Sequence, residues 1–63
     1  MNKKLYTAII FFIPGHPFPA MKYRKISSMD KFKNFAAEKY QGKISSINFY
    51  DRDTKEFVKQ ERV

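Results

Sequence analysis

Residues 3–13 (KKLYTAIIFFI) constrain the fold most, because apolar side chains recur at odd and even positions alike. The run is rich in β-branched and aromatic residues, which favour strands. A strand that is apolar on both faces is usually central in its sheet and covered on both sides. We therefore expect a central first strand with two apolar sets: Leu5, Ile9, Phe11 and Ile13 on one side, and Tyr6, Ala8, Ile10 and Phe12 on the other.

The chain of 63 residues has room for one domain, spanning residues 1–63. Domains of this size have a thin stability margin and often add disulfides or a metal. The sequence has no cysteine and one histidine, which excludes a disulfide framework and a zinc cluster. Seven phenylalanines and four tyrosines instead predict a core stabilised by aromatic packing. We expect a small basic domain without a cofactor.

A proline-containing loop at residues 14–20 follows the first strand, since each proline fixes φ and lacks an N–H. Residues 21–26 (MKYRKI) then predict a second strand at a sheet edge, where Lys and Arg are tolerated.

The helix has the clearest signals. Ser27-Ser28-Met29-Asp30 fits a capping box, with Ser27 as the N-cap and Asp30 reaching back to it. Gly42 supplies the left-handed residue that ends the helix. At about 100° per residue, one apolar stripe faces the core. Its members are Met29, Phe32, Phe35, Ala36 and Tyr40.

Residues 43–50 and 55–62 predict a hairpin around residues 51–54, whose Asp and Thr side chains favour turn hydrogen bonds. Its register stays open between an Ile47–Val58 and a Phe49–Phe57 pairing. The fold expected is α+β: a four-stranded antiparallel sheet in the order β-β-α-β-β, with one helix packed on one face. One helix covers only one face, so part of the other is exposed or covered by a second copy.

The net charge of +7 is uneven, because residues 44–63 carry as many acids as bases. Basic and aromatic residues interleave in Lys22-Tyr23-Arg24-Lys25, a pattern that serves phosphate contacts and base stacking. In the alternative interpretation, Tyr23 packs in the core and the bases keep an edge strand soluble. The candidate nucleic-acid-binding residues are Lys3, Lys4, Lys22, Tyr23, Arg24 and Lys25.

Catalytic residues are scarce. His16 lies among prolines without a cysteine to activate, and Asp51 and Asp53 are accounted for by turn chemistry. The two glycines, Gly15 and Gly42, form no phosphate-cradling loop. We therefore expect no enzyme, no catalytic residue and no metal site.

Two binding functions remain. The first is weak, non-specific nucleic-acid binding through the basic N-terminal and second-strand surface. The alternative is a protein-interaction module, a homodimer or an inhibitor of a host protein, that uses the uncovered apolar sheet face. The apolar run at residues 5–13 is too short to span a bilayer, so we expect no membrane partner. The absence of cysteine fits a reducing compartment, and we expect a cytoplasmic protein.

The stretches KYRKISSMDKFKNFAAEKY and NFYDRDTKEF resemble small uncharacterised proteins of phages and mobile elements in low-GC Gram-positive bacteria. Together they cover 29 of the 63 residues, just under half of the chain. The resemblance implies a cytoplasmic accessory protein that binds nucleic acid or a host protein, and it transfers no site residues.

Overall fold

The computed structural model describes residues 4–62. It contains one four-stranded antiparallel sheet and one helix in the predicted order β-β-α-β-β. The sheet order is β2-β1-β3-β4, which confirms a central first strand and a second strand at an edge. The elements are β1 (Tyr6–Phe12), β2 (Ala20–Ile26), α1 (Met29–Lys39), β3 (Ile44–Asp51) and β4 (Phe57–Arg62).

One face of the sheet carries most of the core, and we call it the buried face. Residues directly opposite one another on antiparallel strands share a face. Two rows therefore run across it, from β2 to β4: Met21, Ile10, Ile47 and Glu61, then Tyr23, Ala8, Phe49 and Lys59. The buried side chains of the described residues are all hydrophobic: Ala8, Ile10, Phe12, Ile26, Phe32, Ala36, Ile44, Ile47 and Phe49.

The opposite face, which we call the exposed face, has no fully buried side chain in its rows. Its apolar residues come from all four strands, and polar residues lie among them. The rows are Lys22, Ile9, Asn48 and Gln60; Thr7, Tyr50 and Phe57; and Ala20, Phe11, Ser46 and Arg62.

Phe32 connects α1 to the sheet. Its ring lies 5.1 Å from the Tyr23 ring and 6.0 Å from the Phe49 ring, both edge-to-face, and only 8% of the residue is exposed. Lys33 adds a salt bridge of 2.9 Å to Glu61. All three partners belong to rows of the buried face. Phe32 is thus a core residue, as its helical spacing predicted.

The prediction that Phe35 is a core residue is wrong, because 45% of it is exposed. Consecutive helical residues are about 100° apart, so Phe35 lies well round the helix from the buried Ala36. The fully buried part of α1 is narrow, consisting of Phe32 and Ala36. Phe35 lies at the edge of this buried part, with its ring centroid 6.2 Å from that of Tyr23.

The predicted helix cap is also wrong by one residue. Ser28, not Ser27, is the N-cap, and its Oγ accepts a hydrogen bond of 3.3 Å from the backbone N–H of Lys31. β2 continues to the buried Ile26, so Ser27 forms the bend between strand and helix. This shift makes Lys31 the third helical residue and removes the predicted capping box.

The end of the helix agrees with the sequence. Tyr40 donates its backbone N–H to the carbonyl of Ala36, which closes the last turn. Gly42 follows with φ of 74°, the left-handed conformation predicted for it.

Candidate nucleic-acid interface

A groove of about 390 Å³ crosses one end of the exposed face. We call it the basic groove. Its lining comes from β1, β2, β3 and the turn between β3 and β4. The lining residues are Thr7, Ile9, Lys22, Arg24, Tyr50, Asp51, Arg52 and Lys55.

A β-bulge shapes the β2 side of the basic groove. Tyr6 pairs with Ile26 and Ala8 pairs with Tyr23, so both Arg24 and Lys25 oppose the single residue between Tyr6 and Ala8. Lys25 has a φ of 63°, which a lysine adopts only at a cost. Bulges of this kind redirect side chains next to them. Here Arg24 lines the groove together with Lys22, two residues earlier.

The turn between β3 and β4 supplies the opposite wall. Asp51 Oδ1 accepts backbone N–H groups of Asp53 (2.8 Å) and Thr54 (3.1 Å), and Thr54 Oγ1 accepts that of Glu56 (3.3 Å). This confirms that Asp and Thr side chains organise the turn. Two cationic side chains of the same turn, Arg52 and Lys55, line the groove.

The hairpin register differs from both pairings weighed in the sequence. Tyr50 pairs with Phe57 and Phe49 pairs with Lys59, so Val58 is left over as a bulge. The bulge places Phe57 beside Tyr50 on the exposed face, with their ring centroids 5.7 Å apart at 74°.

Electrostatics favour an anion in the basic groove. Its lining holds four cationic side chains and one carboxylate, Asp51. The backbone N–H of Thr54, followed by the Lys4 ammonium at 3.1 Å, lowers the pKa of the Asp51 carboxyl. Asp51 therefore stays anionic, with Lys4 as its counterion. Across residues 4–62, no carboxylate forms a salt bridge with any of the four cations that line the groove.

The six binding residues predicted from the sequence separate into groups. Lys22 and Arg24 lie together in the basic groove. Lys4 pairs with Asp51, and Lys25 is exposed at the β2 bulge. Lys3 lies outside the described residues. Of the five predicted residues that the structure describes, two line the groove.

Tyr23 lies on the buried face, away from the basic groove. Its hydroxyl is 2.7 Å from the Tyr40 hydroxyl and its ring lies 5.1 Å from the Phe32 ring. Burial, together with the hydrogen bond to Tyr40, raises the pKa of Tyr23 to about 12. This placement favours the packing role weighed for Tyr23 in the sequence. Base stacking by Tyr23 remains an untested prediction.

Sequence reasoning missed the other half of the groove, which comes from Tyr50 and the following turn. The lining residues that were not predicted are Thr7 and Ile9 of β1, Tyr50 and Asp51 of β3, and Arg52 and Lys55 of the turn. The position of the turn relative to Lys22 and Arg24 depends on the bulges in the β1–β2 and β3–β4 pairings, for which the sequence carries no local signal.

His16 has a structural environment in its loop. Its ring stacks on Phe12, with centroids 4.0 Å apart, and its Nδ1 lies 3.1 Å from the backbone N of Phe18. Within the part of the chain that the structure describes, no three His, Cys, Asp or Glu residues come together as metal ligands.

Comparison with protein-family models, curated proteins and solved structures finds no match to this chain. The resemblance to phage and mobile-element proteins therefore stays a prediction. No helix among residues 4–62 is long and apolar enough to cross a membrane.

Proposed function

We propose that the protein binds nucleic acid through the basic groove, with α1 packed on the buried face and the exposed face left for the ligand. One observation carries the proposal: Lys22 and Arg24 from β2 converge with Arg52 and Lys55 from a distant turn on one groove. Charges that only maintain solubility have no reason to converge in this way.

The chemistry of the groove suits phosphate. Guanidinium groups present a planar fork of N–H donors that matches phosphate oxygens, and lysine adds a mobile point charge. The net charge of +7 adds long-range attraction toward a polyanion. Binding of this kind is driven largely by counterion release and depends little on base sequence.

The proposal is for binding and not for catalysis. Asp51, the one carboxylate in the groove, accepts two backbone N–H groups and pairs with Lys4. These interactions and its lowered pKa make it a poor proton acceptor. The same proposal includes a cytoplasmic location, because a cysteine-free chain fits a reducing compartment and nucleic acids are present there.

Fluorescence anisotropy of labelled oligonucleotides over a salt series tests the proposal. The variant Lys22→Gln/Arg24→Gln should lower the slope of log affinity against log salt by about 0.7–0.9 for each phosphate that the protein no longer neutralises. The control Lys31→Gln/Lys43→Gln removes the same charge from exposed positions outside the basic groove. It should change the slope much less.

Two outcomes would overturn the proposal. One is the absence of binding by the wild type even at low salt. The other is an equal change of slope in both double variants. It would mean that binding depends on the overall charge of the protein and not on the basic groove.

The second candidate function is a protein-interaction surface on the same face. It is favoured by Phe57, which is 57% exposed, and by Phe11, which is only half-buried on the exposed face. Polar neighbours weaken it, because Asn48 and Gln60 cross the middle of that face. Sedimentation equilibrium from micromolar to millimolar protein distinguishes the two functions. A homodimer would support the protein-interaction surface, whereas a monomer that binds oligonucleotides would support the basic groove.

A further inference from the structure

The Tyr50–Phe57 ring pair is not explained by folding. Neither residue belongs to the core cluster or packs against it. Phe57 lies on an edge strand and leaves most of its surface in water, while its ring stays edge-to-face with Tyr50 at 5.7 Å. A large exposed aromatic ring beside a polar groove is a common mark of a binding surface.

The ring pair is continuous with the basic groove. Tyr50 is itself a lining residue, and Phe57 sits opposite it on the next strand. Neighbouring strands are about 4.8 Å apart, so the Phe57 ring lies about one strand spacing beyond the groove wall. Lys55, another lining residue, precedes Phe57 by two positions. One cation of the groove, Lys55, and the exposed Phe57 ring are thus close neighbours along the chain.

We propose that Tyr50 and Phe57 form a base-stacking site and that the ligand of the groove is single-stranded nucleic acid. The inference rests on the proposed nucleic-acid function and specifies its substrate class. A duplex keeps its bases stacked inside and presents phosphates, so it offers no free base face to stack on the Phe57 ring. A single strand offers both a phosphate and a flat base face at each step.

Two amide side chains beside the ring pair orient Tyr50. Gln60 Nε2 donates to Asn48 Oδ1 at 2.8 Å, and Asn48 Nδ2 donates to the Tyr50 hydroxyl at 3.4 Å. These amides hold the Tyr50 ring in place and leave stacking, which tolerates every base, as the main contact.

The test removes the ring and the base separately. Affinities are measured by anisotropy for an oligodeoxythymidine and for an abasic oligonucleotide of the same length. The variants are Phe57→Leu and the control Phe35→Leu, because Phe35 is also exposed and also has a lysine nearby, with Lys39 Nζ 5.7 Å from its ring. Circular dichroism checks that each variant is folded.

The wild type should bind oligodeoxythymidine about 5- to 150-fold more tightly than the abasic strand, the range expected for one stacked base. Phe57→Leu should lose most of that preference while keeping its affinity for the abasic strand. Phe35→Leu should keep the preference.

The inference fails while the proposed function stands if the wild type binds both oligonucleotides equally, or if Phe57→Leu keeps the full preference for bases. The proposed function itself fails if the wild type binds neither oligonucleotide at low salt. Equal affinity for duplex and single strand would likewise overturn the single-strand assignment alone.

Discussion

Truncation of Phe32 to Ala is expected to remove most of the stability of the domain. Phe32 is 8% exposed and its ring contacts Tyr23 and Phe49 across the buried face. Deleting a buried phenylalanine ring costs about 3–5 kcal/mol, because the transfer free energy of the ring and an unfilled cavity add together. A 63-residue domain has about 3–9 kcal/mol in total at ordinary stability per residue.

Phe35, three residues later on the same helix, provides the matched comparison. It is 45% exposed, so truncation removes about half of the usual 1.5–3 kcal/mol of burial and leaves no closed cavity. Alanine also has a higher helix propensity, which returns several tenths of a kcal/mol. We expect Phe35→Ala to destabilise the domain by about 0.5 kcal/mol.

Urea denaturation followed by circular dichroism measures both costs. If Phe32→Ala does not fold, Phe32→Leu, with a smaller cavity, should still lower the free energy of unfolding by about 1–2 kcal/mol. A loss of stability at Phe35 equal to that at Phe32 would refute the reasoning. It would mean that Phe35 is buried in solution, as its helical spacing had suggested.

Two further predictions concern the helix cap and the tyrosine pair. Ser28→Ala should cost about 0.5–2 kcal/mol and speed hydrogen exchange at the Lys31 amide, whereas Ser27→Ala should stay within about 0.5 kcal/mol, both measured by denaturation and exchange. Because folding raises the pKa of Tyr23 from about 10 to about 12, its contribution to stability is present below pH 10 and is lost as the pH rises through 12. Spectrophotometric titration should show that Tyr23 ionises near pH 12 and that Tyr40→Phe lowers this pKa; a Tyr23 that ionises near pH 10 in the wild type would contradict this.

Much of the fold follows from local patterns. The run that is apolar on both faces identifies β1 as central, because a strand covered on both sides is made of apolar residues. The basic residues at 21–26 identify an edge strand, because Lys and Arg are tolerated where a strand is exposed to solvent. The errors at Ser27 and Phe35 have a different origin. A strand that extends to Ile26 moves the cap, and the width of the helix contact decides how much of an apolar stripe is buried.

Two of the four cations in the basic groove were predictable from the sequence. Lys22 and Arg24 were found because they alternate on one strand, and the turn hydrogen bonds of Asp51 followed from residue type. The position of Arg52 and Lys55 relative to β2 depends on two bulges. Bulges form where a neighbouring strand and the core require them, and lysine, arginine and valine carry no local signal for them.

The two non-glycine residues with positive φ in the described chain are both lysines, Lys25 at 63° and Lys55 at 65°. Each costs about 1 kcal/mol or more, which the surrounding structure must offset. Protection of an edge strand from pairing would explain a bulge at Lys25, but Lys55 lies in a turn and needs no such protection. The feature that both share is the basic groove: Lys25 adjoins Arg24 at one wall, and Lys55 lines the other. Local geometry accounts for both angles: the β-bulge accounts for Lys25, and the turn accounts for Lys55, whose backbone N–H closes it on the Asp51 carbonyl at 2.7 Å.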